Sequence, residues 1–211
     1  MEGSAEDRPK PSPVFDEASR FAEECDTIVS RRYGDPNILP CLNARLSFMK
    51  FMSANEAAIE HLKNCFPWAL VALVLNSLSI DFRNHQRVEA EEFPRPTDRP
   101  LPEDWSLRGL LWTDKLFPSD WFTSAKVDDD EKTFELASMT EQRKERVLWL
   151  GYQLALPGKW LTYDQQSKQF KVTPEYDKEY AVHDPAEDPA LGGKEGSVSH
   201  SSATGSTTTL D

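Results

Sequence analysis

The sequence predicts an all-α fold of stacked antiparallel helical hairpins, with an irregular tryptophan-rich wrap and a small C-terminal β-hairpin. Three observations predict it. From residue 14 to residue 83, apolar side chains recur at three- and four-residue steps, the spacing of one helical face. From 105 to 122, Trp105, Leu110, Leu111, Trp112, Phe117, Trp121 and Phe122 crowd together without a helical or strand period. From 159 to 172, two short runs flank a polar turn, as a hairpin requires.

Residues 1–12 are polar and aperiodic and are expected to be a disordered lead. The first helix is predicted to start near Val14, with Phe15, Ala18, Ala22, Cys25 and Val29 as its apolar face and Gly34 as its stop. Asp35-Pro36 then opens a second helix, since Asp caps free amides and Pro suits the first helical position. Ile38, Leu42, Leu46 and Met49 form its stripe, widened by Cys41, Phe48 and Met52. The run Ser53-Ala-Asn-Glu56 has the form of a capping box for a third helix ending near Asn64. A fourth is expected from Phe66 to about Arg83, apolar nearly all round in its first half and therefore internal. Short connections between four helices imply antiparallel hairpins.

Four prolines in residues 93–102 make a loop or linker, and Glu103 to Arg108 can form a short helix with Arg108 four residues after Asp104. The tryptophan-rich segment after it carries groups worth roughly 1.5–3 kcal/mol each on burial, so it should wrap the helices. Ser138-Met-Thr-Glu141 reads as a capping box for a last helix over 139–156, with Val147, Leu150, Gly151 and Leu154 facing inward. Lys159–Tyr163 and Gln169–Val172 are the predicted strands. The folded domain is expected over 13–173, and 174–211, acidic then Gly/Ser/Thr-rich, is expected to be a disordered tail.

Charge narrows the function. The formal net charge is −12, and an acidic chain repels nucleic acid at long range. Nucleic-acid binding therefore needs a local cationic patch, for which Arg31, Arg32, Arg45 and Lys50 are the candidates. The three cysteines are widely spaced and lack C-x-x-C, which argues against a disulfide framework or a zinc ribbon and for a reducing compartment. Cys25 and Cys65 are expected to pack rather than react. The longest apolar run, Cys65–Leu75, contains Pro67 and is shorter than the roughly 20 residues that span a bilayer, so no membrane association is expected.

Catalytic motifs are sparse. Asp128-Asp129-Asp130-Glu131 suggests a metal-dependent hydrolase, but consecutive residues point in different directions, and a solvated acidic turn is the expected outcome. His61, His85, His183 and His200 are scattered, and Gly192-Gly193 follows no strand. Neither an enzyme nor a bound cofactor is expected on these grounds.

One segment carries a family resemblance. Leu101-Pro102-Glu103-Asp104-Trp105-Ser106-Leu107-Arg108-Gly109 resembles the L-P-E-D-x-x-L-R-G signature of the ever-shorter-telomeres type DNA/RNA-binding domain. In animals that signature occurs in adaptors of nonsense-mediated mRNA decay. Phe93-Pro94-Arg95-Pro96, Asp120-Trp121-Phe122, Asp128–Glu131, Ser138–Arg146 and Trp149-Leu-Gly151 are similar to the filamentous-fungal version, and the likeness covers roughly residues 25–172.

The resemblance implies a C-terminal part of that helical domain, acting as an adaptor through protein contacts in nucleus or cytoplasm, in telomere maintenance or mRNA decay. It does not carry over the family's upstream phosphopeptide-binding module, because the chain is read as beginning within the domain. A truncated paralogue, a short gene product and an incomplete gene model remain open, as does the oligomeric state. Without an upstream neighbour, Phe15, Phe21, Ile28, Ile38 and Phe48 are expected to leave a partly exposed apolar patch. Leu101, Pro102, Glu103, Asp104, Trp105, Leu107, Arg108, Gly109, Trp112, Trp121 and Phe122 are the expected structural motif. Two rivals stand beside the adaptor: a binder of telomeric DNA or RNA, and the metal-dependent hydrolase.

Overall fold

Short polar side chains set the starts of the N-terminal helices. In the computed structural model, which describes residues 11–113, 115–123 and 127–178, the Ser12 hydroxyl accepts the Phe15 amide at 3.2 Å and opens α1 (Pro13–Arg31). The chain turns back through Gly34, whose φ of +90° suits a residue without Cβ. Asp35 accepts the Asn37 amide at 2.9 Å, as its capping role predicts, but the turn it opens, Pro36–Ile38, is a 3-10 turn that only then runs into α2 (Leu39–Ser53).

The predicted cap at Ser53 is displaced. Ser53 Oγ donates to the Lys50 carbonyl at 2.7 Å inside α2, and Asn55 caps the one-turn α3 (Glu56–Ile59) instead. α4 (Trp68–Ile80) starts after Pro67 and stops short of Arg83. A one-turn helix that the spacing did not predict, α5 (His85–Val88), buries Val88. α6 (Pro102–Leu107) and α7 (Met139–Ala155) follow. Ser138 makes no side-chain capping bond, so the expected capping box is absent there.

β1 (Leu161–Asp164) and β2 (Gln169–Val172) pair antiparallel, with Leu161 opposite Val172 and Asp164 opposite Gln169. The described residues are thus mostly helical with one small two-stranded sheet, and they fall within one compact unit. Among them, no helix is long and apolar enough to cross a membrane.

The core forms where α2 and α4 meet α7. Leu46, Met49, Leu75, Val147 and Leu150 are fully buried there. Gly151 permits the α4–α7 approach: a Cβ at that position would lie 2.6 Å from Leu75 Cδ1. The sheet docks on α4 through main-chain groups. Asn76 donates to the Phe170 carbonyl at 2.9 Å and accepts the Phe170 amide at 2.7 Å, replacing the strand that β2 lacks on that edge. Trp160 stacks on Trp68 with ring centroids 5.3 Å apart.

Two expectations change at the ends of the chain. Pro174–Tyr176 forms a 3-10 turn, Tyr176 is buried, and Lys178 Nζ donates to the Asn64 carbonyl, so 174–178 belong to the packed body and not to a tail. Residues 1–10 and 179–211, and with them His183, His200 and Gly192-Gly193, lie outside the described residues. α1 is also rotated from its predicted orientation. Its buried residues are Asp26 and Ser30, while Phe15, Ala18 and Cys25 of the predicted inner face are exposed and only Ala22 and Val29 are half-buried. The Arg45 guanidinium explains the rotation: it reaches Asp26 at 2.8 Å and draws the acidic side of α1 inward.

Candidate functional site

The signature segment builds its site from two adjacent acids and one face of a helix. Leu101 is fully buried and Pro102 occupies the first turn of α6, which fixes Glu103 and Asp104 in that turn. Arg143 and Arg146 stand three residues apart on α7, hence on one face. Glu103 takes Arg143 in a two-pronged bond, both contacts at 2.8 Å, and accepts Asn43 of α2 at 3.0 Å. Arg143 also bonds both carboxylate oxygens of Glu135, one at 3.0 Å. One guanidinium therefore ties α6, α7 and the segment before α7 together, with α2 joined through Asn43.

Asp104 lies deeper, 1% exposed. Its Oδ2 accepts the Leu101 amide at 3.0 Å and the Trp121 indole N–H at 3.1 Å, and its Oδ1 faces Arg146 Nη1 at 3.4 Å. Arg146 lies over the Phe93 ring at 3.9 Å and near Trp121 at 5.4 Å, while its Nε and Nη2 have no hydrogen-bond partner among the described residues. Burial pushes the Asp104 carboxyl above its ordinary range against the pull of Arg146, and burial likewise lowers Arg146. Glu103 differs: burial pushes it up, but Arg143, its own amide and Asn43 together hold it below its ordinary value. Buried ion pairs recover little net stability after desolvation. What this set does is fix how α6 and the Trp121 loop sit on α7.

The rest of the motif surrounds that centre unevenly. Leu107 is half-buried, and Gly109 turns the chain at φ +86°. Arg108 does not pair with Asp104 as its spacing suggests. It is exposed and stacks over Phe122 at 5.1 Å and Trp105 at 5.7 Å. Trp105 and Phe122 are half-buried, with centroids 5.0 Å apart, and Lys132 sits 4.7 Å from the Trp105 ring. Trp112 is half-buried, edge-on to Phe48 at 5.5 Å, and Trp121 is fully buried.

The cationic candidates are drawn into separate pairings. Arg45 holds Asp26, Arg32 holds Asp35 at 2.6 Å, and Lys50 lies half-buried 4.9 Å over Trp149, where burial lowers its pKa. Arg31 is half-buried in the last turn of α1. The acidic run starts at Asp128, which precedes the 3-10 turn Asp129–Thr133, and continues through the first three residues of that turn. Asp128, Asp129 and Asp130 are exposed, Asp129 pairs with Lys132, and Glu131 faces Arg99 at 3.6 Å. Among the described residues, no three His, Cys, Asp or Glu side chains converge to hold a metal ion. Cys25, expected to pack, is exposed, while Cys65 is half-buried. Of the expected apolar patch, Phe15, Phe21 and Ile28 are exposed, but Ile38 is in the core and Phe48 packs on Trp112.

A cleft of about 450 Å³ lies apart from the signature, lined by Glu56, Glu60, Lys63, Lys159, Trp160 and Tyr176 among others. Its charges are mixed, and it brings together none of the residues predicted to be functional. Sequence reasoning missed Arg143, Arg146, Glu135 and Asn43. The two arginines carried a signal, since basic residues at a three-residue step beside an apolar stripe can reach one neighbour, but the partners lie 40 and 42 residues away. Comparison with known proteins gives no matching family model, no matching curated protein and no matching solved structure.

Proposed function

We propose that this chain is a non-enzymatic helical adaptor related to the ever-shorter-telomeres type domain, working through protein contacts in telomere maintenance or nonsense-mediated mRNA decay. One observation carries the reading: both acids of the L-P-E-D signature are consumed internally, Glu103 by Arg143 and Asp104 by Trp121 and Arg146, so the signature acts as scaffold. On this proposal the surface of the helical body supplies the contacts. In this reading the helices form stacked hairpins, the tryptophan-rich segment wraps them, and the protein works in nucleus or cytoplasm.

Affinity purification of the full chain from its source cells, followed by mass spectrometry, tests the assignment. Recovery of decay factors or telomerase components supports it, and recovery of neither removes the family assignment.

A second reading, nucleic-acid binding, is favoured by Trp105 and Phe122 flanked by Arg108 and Lys132, because aromatic rings beside cations can stack bases. Fluorescence anisotropy with labelled single-stranded G-rich DNA and with RNA separates the two. Binding that falls steeply with salt, and is lost in Trp105→Ala, would replace the adaptor reading.

A further inference from the structure

α1 wears its amphipathic pattern inside out. Asp26 and Ser30 face the body, while Val14, Phe21 and Ile28 are 75%, 69% and 62% exposed. Ala18 and Cys25 are exposed between them. The series 14, 18, 21, 25, 28 advances by alternating steps of four and three, the a/d spacing of a coiled-coil seam. The helix is held in place by the Ser12 cap, the Asp26–Arg45 pair and the Phe15–His61 edge contact. A partner would therefore meet a preformed helix and would not have to order one.

We propose that this stripe is a homodimer seam in which α1 of one copy packs antiparallel on α1 of a second copy. Two features select this occupant and this direction. The first is side-chain size. Antiparallel pairing sets Phe21 beside Cys25 of the second copy and Ala18 beside its Ile28, so large groups fill the space left by small ones from residue 18 to residue 28. Parallel pairing sets Phe21 on Phe21 and Ala18 on Ala18, which crowds one layer and empties the next.

The second feature is charge. Glu17, Glu24 and Arg31 line one flank of the stripe at seven-residue steps. Antiparallel pairing brings Glu17 toward Arg31 of the second copy twice by symmetry, against a single Glu24–Glu24 approach at the axis, and opposes the two helix dipoles. Parallel pairing turns this flank toward Ala22 and Val29 of the second copy and forms no such ion pair. This inference does not depend on the adaptor reading, because it rests on α1 alone.

Sedimentation equilibrium of the full chain through the micromolar range tests the proposal. The expected result is a reversible dimer. Phe21→Glu and Ile28→Glu, each made singly, should weaken it by more than about a hundredfold while the helical circular dichroism, and the urea midpoint measured at concentrations too low for association, stay unchanged. Glu17→Arg and Arg31→Glu should each weaken it about tenfold, and their combination should restore it. A chain that stays monomeric overturns the proposal, as does a dimer indifferent to both Phe21→Glu and Ile28→Glu. Failure of the charge pair to restore dimerisation, or ready oxidation to a disulfide between two Cys25 thiols, overturns the antiparallel direction.

Discussion

The α6–α7 seam and the outer face of α1 depart from the usual distribution of polarity in opposite senses. At the seam, charge is inside: Asp104 and Arg146 are each 1% exposed in contact with Trp121. On α1, grease is outside: Phe21 is 69% exposed although the same helix buries Asp26. The difference teaches that burial here follows partners and not residue type. A buried charge needs a partner within the chain, because leaving it unpaired costs several kcal/mol. An exposed apolar stripe costs the monomer little and gains only when a partner covers it.

The largest test sits at the seam. Trp121→Ala should destabilise the fold by about 3–5 kcal/mol in urea denaturation, through the cavity and the lost bond to Asp104. A loss below about 1 kcal/mol would place the ring in solvent and erase the contrast. Asp104→Asn comes next. It keeps the volume and an acceptor but leaves Arg146 without its counter-charge, and it should cost about 2–3 kcal/mol. Gly151→Ala should cost about 1–3 kcal/mol, since the new methyl group must displace Leu75 in a closed core.

Acid should act on the seam as well. The Glu103 carboxyl is held below its ordinary 4.5, so it stabilises the fold above that value and withdraws the stability as pH falls through the lower folded value. The difference in urea midpoint between wild type and Glu103→Gln should therefore shrink as pH falls below 4.5. A difference that is constant with pH would mean that charge at Glu103 is irrelevant.

The smallest effect belongs to α1. Phe21→Ser should shift the stability of the isolated copy by no more than about 0.5 kcal/mol, measured at concentrations too low for association. A large loss there would mean that the ring packs inside the copy and that α1 is not inverted.

Local signals in the sequence determined much of this protein. Apolar spacing marked the long helices, Asp35 and Gly34 marked their joints, and the paired runs at 159–172 marked the hairpin. The Leu101–Gly109 segment stood out by its motif alone. These features depend on neighbours a few residues away, whose geometry the backbone dictates. The tertiary structure alone decided the rest: that Ser53 and Ser138 cap nothing, that α1 turns Asp26 inward to Arg45, and that Glu103 and Asp104 serve two arginines on α7. The last two choices are settled between groups 19 to 42 residues apart, where one ion pair outweighs a weak local preference.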